Sequence, residues 1–128
     1  MSRVVLDASA MMAVLNREPG AEKLTPQIMN SAVASTVNLA EVHGKLVQRG
    51  FSPDDAWTAA NGVIDEAVAF TAEQAKTAGD LVARTRPFGL SLGDRACLAL
   101  GIALRAPVYT ADRAWRNMKL GIRIHVIR

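Results

Sequence analysis

Hydrophobic positions in this chain fall into short unbroken runs set between longer stretches with helical spacing. Val4-Val5-Leu6 is such a run, and consecutive β-branched and aliphatic residues read as a strand buried on both faces, as in a parallel sheet. Ala8 to Met12 then begin a helix, and Arg17-Glu18-Pro19-Gly20 marks a turn into a second one over about 21–29. Ala32-Val33-Ala34-Ser35 is a second strand. Thr36 or Asn38 opens a helix with Leu39, Val42 and Leu46 at core spacing, ending near Gly50. Ser52-Pro53-Asp54-Asp55 combines a cap residue, a proline at the first helical position and acids facing the macrodipole. It predicts a helix running to about Ala67, followed by a third strand at Val68-Ala69-Phe70. Thr71 and Gln74 have capping-box spacing and open a helix to about Arg86. Pro87-Phe88-Gly89 breaks the chain, and Ser91 opens a helix of small residues through Leu104. Pro107-Val108-Tyr109 and the run over 122–127 supply a fourth and a fifth strand. Short strands separated by helices predict an α/β fold, a central parallel sheet covered by helices on both faces.

Composition sets limits on that picture. The chain has 128 residues, the size of a single domain over 1–128. With 50% hydrophobic and 21% charged residues it falls among globular chains, not disordered ones. Its apolar runs are too short and interrupted to span a bilayer, and the opening residues lack a secretory leader pattern. Cys97 is the only cysteine, which excludes an intrachain disulfide and suits a reducing cytoplasm. Set among Ala96, Leu98 and Leu100, its thiol reads as buried and structural.

Charge adds an asymmetry that the net value of +3 conceals. From Arg105 onward there are five Arg and one Lys against the single acid Asp112. Arginine forks suit bidentate contacts to phosphate, although a solvated basic face has the same composition.

The acids are the sharper signal. Asp7 follows the first strand, Glu41 lies one turn into the helix after the second, Asp94 is in the first turn after Ser91, and Asp112 follows the fourth strand. All four map near the carboxyl ends of strands or helix N-termini, the edge where open α/β sheets bind ligands. Each alone has a plainer reading. Asp7 and Asp112 suit N-caps, Ser91 with Asp94 resembles a capping box, and Glu41 stands at pairing distance from Lys45. Together the plainer readings are strained, because four converging carboxylates repel and push one another toward protonation. A divalent cation relieves that repulsion, and hard oxygen donors suit Mg²⁺ (or Mn²⁺). Outside these four acids the chain carries 15 basic and 8 acidic residues. An acidic pocket in a basic shell is what a metal-dependent phosphodiesterase requires, since the metal activates water and offsets charge building on phosphate.

These segments resemble the PIN-domain ribonucleases, and among them the VapC-type toxins of bacterial toxin–antitoxin pairs. The resemblance rests on Val4-Val5-Leu6-Asp7-Ala8-Ser9, Asn38-Leu39-Ala40-Glu41, the stretch from Leu90 through Asp94 to Ala99, and Thr110-Ala111-Asp112-Arg113-Ala114-Trp115. It implies a three-layer PIN-like domain with sheet order 3-2-1-4-5 and a metal held by Asp7, Glu41, Asp94 and Asp112. Ser9 and Thr110 would assist as polar residues. It further implies an endoribonuclease leaving 5′-phosphate and 3′-hydroxyl ends, a homodimer, and a cognate antitoxin that covers the site. Lys45, Arg113 and Arg116 are the candidate RNA contacts.

Other readings compete. His43 and His125 could form the acid–base pair of a metal-independent ribonuclease, and the acids could merely cap helices in a non-catalytic RNA- or protein-binding module. A phosphoaspartyl phosphatase needs an acid where Ser9 stands, and a phosphorelay receiver needs an acidic pair at the first strand, which is absent. Trp57 and Trp115 could stack on bases or serve packing and dimer contact. Met11 and Met12 suit core or partner surface. Gly93 and Gly101 suggest close helix packing, since no glycine-rich phosphate fingerprint accompanies them.

Overall fold

The computed structural model describes residues 2–128. Its strands are β1 (Val4–Leu6), β2 (Ala32–Ser35), β3 (Glu66–Val68), β4 (Val108–Thr110) and β5 (Ile124–Val126). They form one parallel sheet in the order β3-β2-β1-β4-β5, as the resemblance implies. Register places Val5 opposite Val33 on one side and Val108 on the other. The helices are α1 (Ala8–Asn16), α2 (Pro26–Met29), α3 (Thr36–Gln48), α4 (Pro53–Gly62), α5 (Ala72–Arg84) and α6 (Leu92–Leu104), with short 3₁₀ turns between them.

The two-residue period of a strand sends alternate side chains into separate cores. Leu6 joins Met11, Leu39, Val42 and Leu46 beneath α1 and α3, with Ala56 and Ala60 of α4. Val5, Val33 and Val108 face the other way, onto Leu98 and Leu100 of α6 and the fully buried Trp115. The sheet is thus the middle of three layers. Met11, Met12 and Trp115 belong to this packing, whereas Trp57 is 49% exposed. Cys97 is buried. Gly101 allows the close approach expected of it, since a Cβ there would lie 2.6 Å from Val108 Cγ2. No helix among the described residues is long and apolar enough to cross a membrane.

Several boundaries differ from the sequence reading. The stretch 21–29 is a 3₁₀ turn and then α2, because Thr25 caps and Pro26 opens a new helix, and a proline biases its predecessor away from helix. α4 ends at Gly62, not near Ala67, and β3 begins two residues before Val68. Ile64 is buried and the Asp65 N–H donates to Ala32 O at 2.8 Å, which draws the chain into the sheet early. β4 starts at Val108, since Pro107 has no N–H for the ladder; its carbonyl instead accepts from Val5 N–H at 2.9 Å. β5 is shorter than the run 122–127.

Candidate active site

Parallel strands share one direction, so β1, β2 and β4 all deliver their following residues to the same edge of the sheet. Asp7 leaves β1 and caps α1: its Oδ1 accepts from Ala10 N–H at 2.8 Å. The same oxygen accepts from the Ser9 hydroxyl at 2.7 Å, and Oδ2 accepts from the Thr110 hydroxyl at 2.6 Å. Both hydroxyl oxygens are in turn acceptors, Ser9 Oγ from Ala111 N–H at 2.9 Å and Thr110 Oγ1 from Asp112 N–H at 3.0 Å. Ser9 and Thr110 thus act as braces that join β1 to β4 through Asp7.

Asp7 is only 3% exposed. Burial pushes its carboxyl from 3.8 up to about 6 and outweighs the three hydrogen bonds, while the charge of Asp94 raises it further. Desolvation is the dominant cause, as expected for a carboxylate taken out of water.

Glu41 and Asp94 approach from α3 and α6. The Glu41 carboxylate packs against Gly93, where a Cβ would come within 2.6 Å of Glu41 Cδ, so a side chain there would have to push the carboxylate aside. Asn38 holds the two helices together, its Nδ2 donating to Glu41 Oε1 at 2.9 Å and to Gly93 O at 3.0 Å. Asp94 completes a capping box: its backbone N–H donates to Ser91 Oγ at 3.2 Å and its Oδ2 accepts from Ser91 N–H at 3.0 Å. The Cys97 thiol one turn along α6 is pushed well above its ordinary range by burial, then by the charges of Asp7, Asp94 and Glu41. Three of the four acids thus act electrostatically on one buried sulfur. Asp112 is tied to them through Thr110 and caps the following 3₁₀ turn, Oδ1 accepting from Ala114 N–H at 2.9 Å.

The plain and the chemical readings of the acids are therefore compatible. Asp7, Asp94 and Asp112 all cap helical turns, yet Glu41, Asp94 and Asp112 each use one carboxylate oxygen in these hydrogen bonds and keep the other. Among the described residues, Glu41 forms no ion pair with Lys45, and no three His, Cys, Asp or Glu side chains already stand in a metal-holding arrangement. The donor set nonetheless suits a hard divalent cation: a desolvated Asp7 raised partly by Asp94 is the signature of a negative pocket that a cation relieves.

Beside the acids lies a groove of about 670 Å³ lined by Ser9 and Asp112 and by the cations Lys45, Arg49, Arg113 and Arg128. Lys45 and Arg113, two of the candidate RNA contacts, both line this groove. Arg49 was missed, although its i,i+4 spacing from Lys45 puts both on one helix face. Arg116 lies outside this groove and donates to Arg128 O at 3.3 Å. Asn38 was read only as part of a helix start; its three-residue spacing from Glu41 was the available signal. The two histidines lie against separate aromatic partners. His43 meets Trp57 edge-on at 5.7 Å, and His125 stacks on Tyr109 at 4.6 Å.

Comparison with known proteins agrees with this architecture. A PIN domain family model matches residues 4–120. Among solved structures, the chain resembles a DNA-bound VapBC from Salmonella typhimurium, with TM-score 0.77 and 16% identity, covering 100% of both chains. It also resembles VapC20 from Mycobacterium tuberculosis, a Sarcin-Ricin loop cleaving toxin, with TM-score 0.73 and 20% identity over 94% of this chain and 98% of that one. VapBC2 from Rickettsia felis, bound to a promoter DNA fragment, matches with TM-score 0.72 and 16% identity over 94% and 96%. No curated protein matches by sequence. With its sheet order and a family model spanning most of its length in agreement, the chain belongs to the PIN domain family of nucleases.

Proposed function

We propose that this protein, as one PIN-like domain over 1–128, is a Mg²⁺-dependent (or Mn²⁺-dependent) endoribonuclease and the toxin of a toxin–antitoxin pair. It would act in the cytoplasm as a homodimer restrained by a cognate antitoxin. The observation that carries the nuclease reading is Asp7, a buried carboxyl raised to about 6 at the edge where Glu41 and Asp94 also arrive. VapC20 is an RNA-cleaving relative in fold, and the VapBC structures pair such a chain with a partner protein; both support the finer reading.

Asp7, Glu41, Asp94 and Asp112 would hold the cation. When bound, it would lower the pKa of a coordinated water and offset charge on the phosphate. The protein's own residues have defined tasks. Ser9 and Thr110 fix the Asp7 carboxylate in one rotamer, and Asn38 does the same for Glu41. Lys45, Arg49 and Arg113 line the adjoining groove and would hold the flanking phosphates of the RNA.

Cleavage of structured RNA by the purified protein, with end mapping, tests this. Strand scission should require Mg²⁺ or Mn²⁺, stop in EDTA and disappear in Asp94→Asn, whose amide still caps α6. Cleavage that continues in EDTA and is lost on replacing His43 or His125 would overturn the metal-dependent reading in favour of acid–base chemistry.

A further inference from the structure

The basic groove beside the acids does not end there. Arg113 and Arg128 also line a second depression, together with Lys23. Lys23 in turn lines a third, with Arg116, Tyr109 and His125. Tyr109 and His125 then border a fourth and larger groove of about 840 Å³, which holds Arg3, Arg105 and Arg123. Each depression thus shares side chains with the next, and the series runs from the acidic edge around β5 to the opposite end of the sheet, where Arg3 and Arg123 precede their strands.

Acids along this path are few and already engaged. Glu18 pairs with Arg128 and accepts from Asn16 Nδ2, and Glu22 accepts from Gly20 N–H at 3.1 Å. The fourth groove has no acidic lining residue, and its one ion pair, Arg3 with Glu66 at 3.4 Å, is exposed and hence weak. Arginine predominates over lysine along the path, which favours forked contacts to phosphate over point-charge attraction. Between the third and fourth grooves the Tyr109 and His125 rings stack with 18° between planes. Burial and the charge of Arg123 hold the imidazole below its ordinary pKa, so this pair is a neutral aromatic face at pH 7.

We infer that these linked grooves form a single track for an extended polynucleotide, which carries RNA from the acidic edge around β5 to an anchoring site at Arg105 and Arg123. Phosphates would lie along the cations, and a base would stack on the Tyr109–His125 edge. The nuclease reading is used only to choose RNA as the polyanion. An acidic protein segment could meet the same charges, but it lacks bases for the stack.

Binding measured in EDTA, where no cleavage is expected, separates this from the catalytic proposal. Two single-stranded RNAs serve as probes, one of a few nucleotides that fills only the first groove and one long enough to round β5. The double variant Arg105→Gln/Arg123→Gln alters exposed residues remote from the acids. It should weaken the long RNA about tenfold and reduce its salt slope by roughly 1.4, at about 0.7 per phosphate contact in a single strand. The short RNA should bind and, with Mg²⁺, be cleaved as before. Arg86→Gln, off the track, should change neither. Unchanged affinity and slope for the long RNA would overturn the track, as would an equal loss in Arg86→Gln. Polyglutamate displacing the long RNA as well as an unlabelled copy does would also overturn it, in favour of an acidic protein partner. Loss of cleavage with RNA binding intact would instead count against the nuclease reading alone.

Discussion

Two helix starts in this protein solve the same local problem at very different cost. At α4, Ser52 accepts from Asp55 N–H at 3.1 Å on an exposed surface. At α1, Asp7 accepts from Ala10 N–H at 2.8 Å, and the bond is as good, but the group making it is buried and its charged form is disfavoured. Serine or asparagine would cap α1 about as well. A carboxylate there is surplus to capping, and what it adds is a negative charge that meets the charge of Asp94. Stability given up at a site without structural need is a mark of function.

Replacing Asp7 should have the largest effect on that contrast. Asp7→Asn keeps the cap and should lower RNA cleavage by roughly a hundredfold or more. Its effect on stability has the opposite sign. Because the folded carboxyl titrates near 6 instead of 3.8, the native state binds more protons in that interval, and the metal-free parent loses stability as pH rises through it. The loss is complete above about pH 6 and amounts to at most about 3 kcal/mol. Melting curves in EDTA from about pH 4 to 7 should show the decline in the parent and a flatter profile in Asp7→Asn. A variant that melts below its parent throughout would make Asp7 a cap like Ser52.

A smaller change should follow at Thr110. Thr110→Val removes one of the hydrogen bonds that lower the Asp7 carboxyl and leaves Asp112 N–H without its acceptor, at a cost of about 1–3 kcal/mol. The upper end of the pH-dependent decline should move above 6, which the same melting series reads directly. Unmoved titration would show that burial alone governs Asp7. Smallest of the three is Ser52→Ala, expected to cost about 1 kcal/mol equally at every pH and to leave cleavage untouched.

The sequence carried the strand order well, because short apolar runs between helices read as buried parallel strands, and Asp7 and Asp112 directly follow two of them. Local patterns also sufficed for Ser91–Asp94 and Thr71–Gln74, whose caps form as spaced. What was hidden depends on contacts distant in the chain. The early start of β3 follows from Asp65 meeting Ala32, and Arg49 shares a groove with Arg113 only once the end of α3 and the turn after β4 are brought together. Arg116 is basic in the right segment, yet its neighbour is the Arg128 carbonyl, which no spacing rule reveals. The exclusion of Lys45 from Glu41 has the same origin, since Asn38 and Gly93 already occupy that carboxylate's surroundings.

Gly93 has a consequence for how this domain can change. The missing side chain lets α3 and α6 close on one another, and Asn38 clasps them there, so the separation of Glu41 from Asp94 is a helix-crossing dimension. A methyl group at position 93 would act as a wedge, displacing Glu41 while leaving both helices and the sheet intact. Tolerance to substitution should therefore be low along the α3–α6 contact, which makes this crossing a part of the domain that a designer would have to copy without alteration.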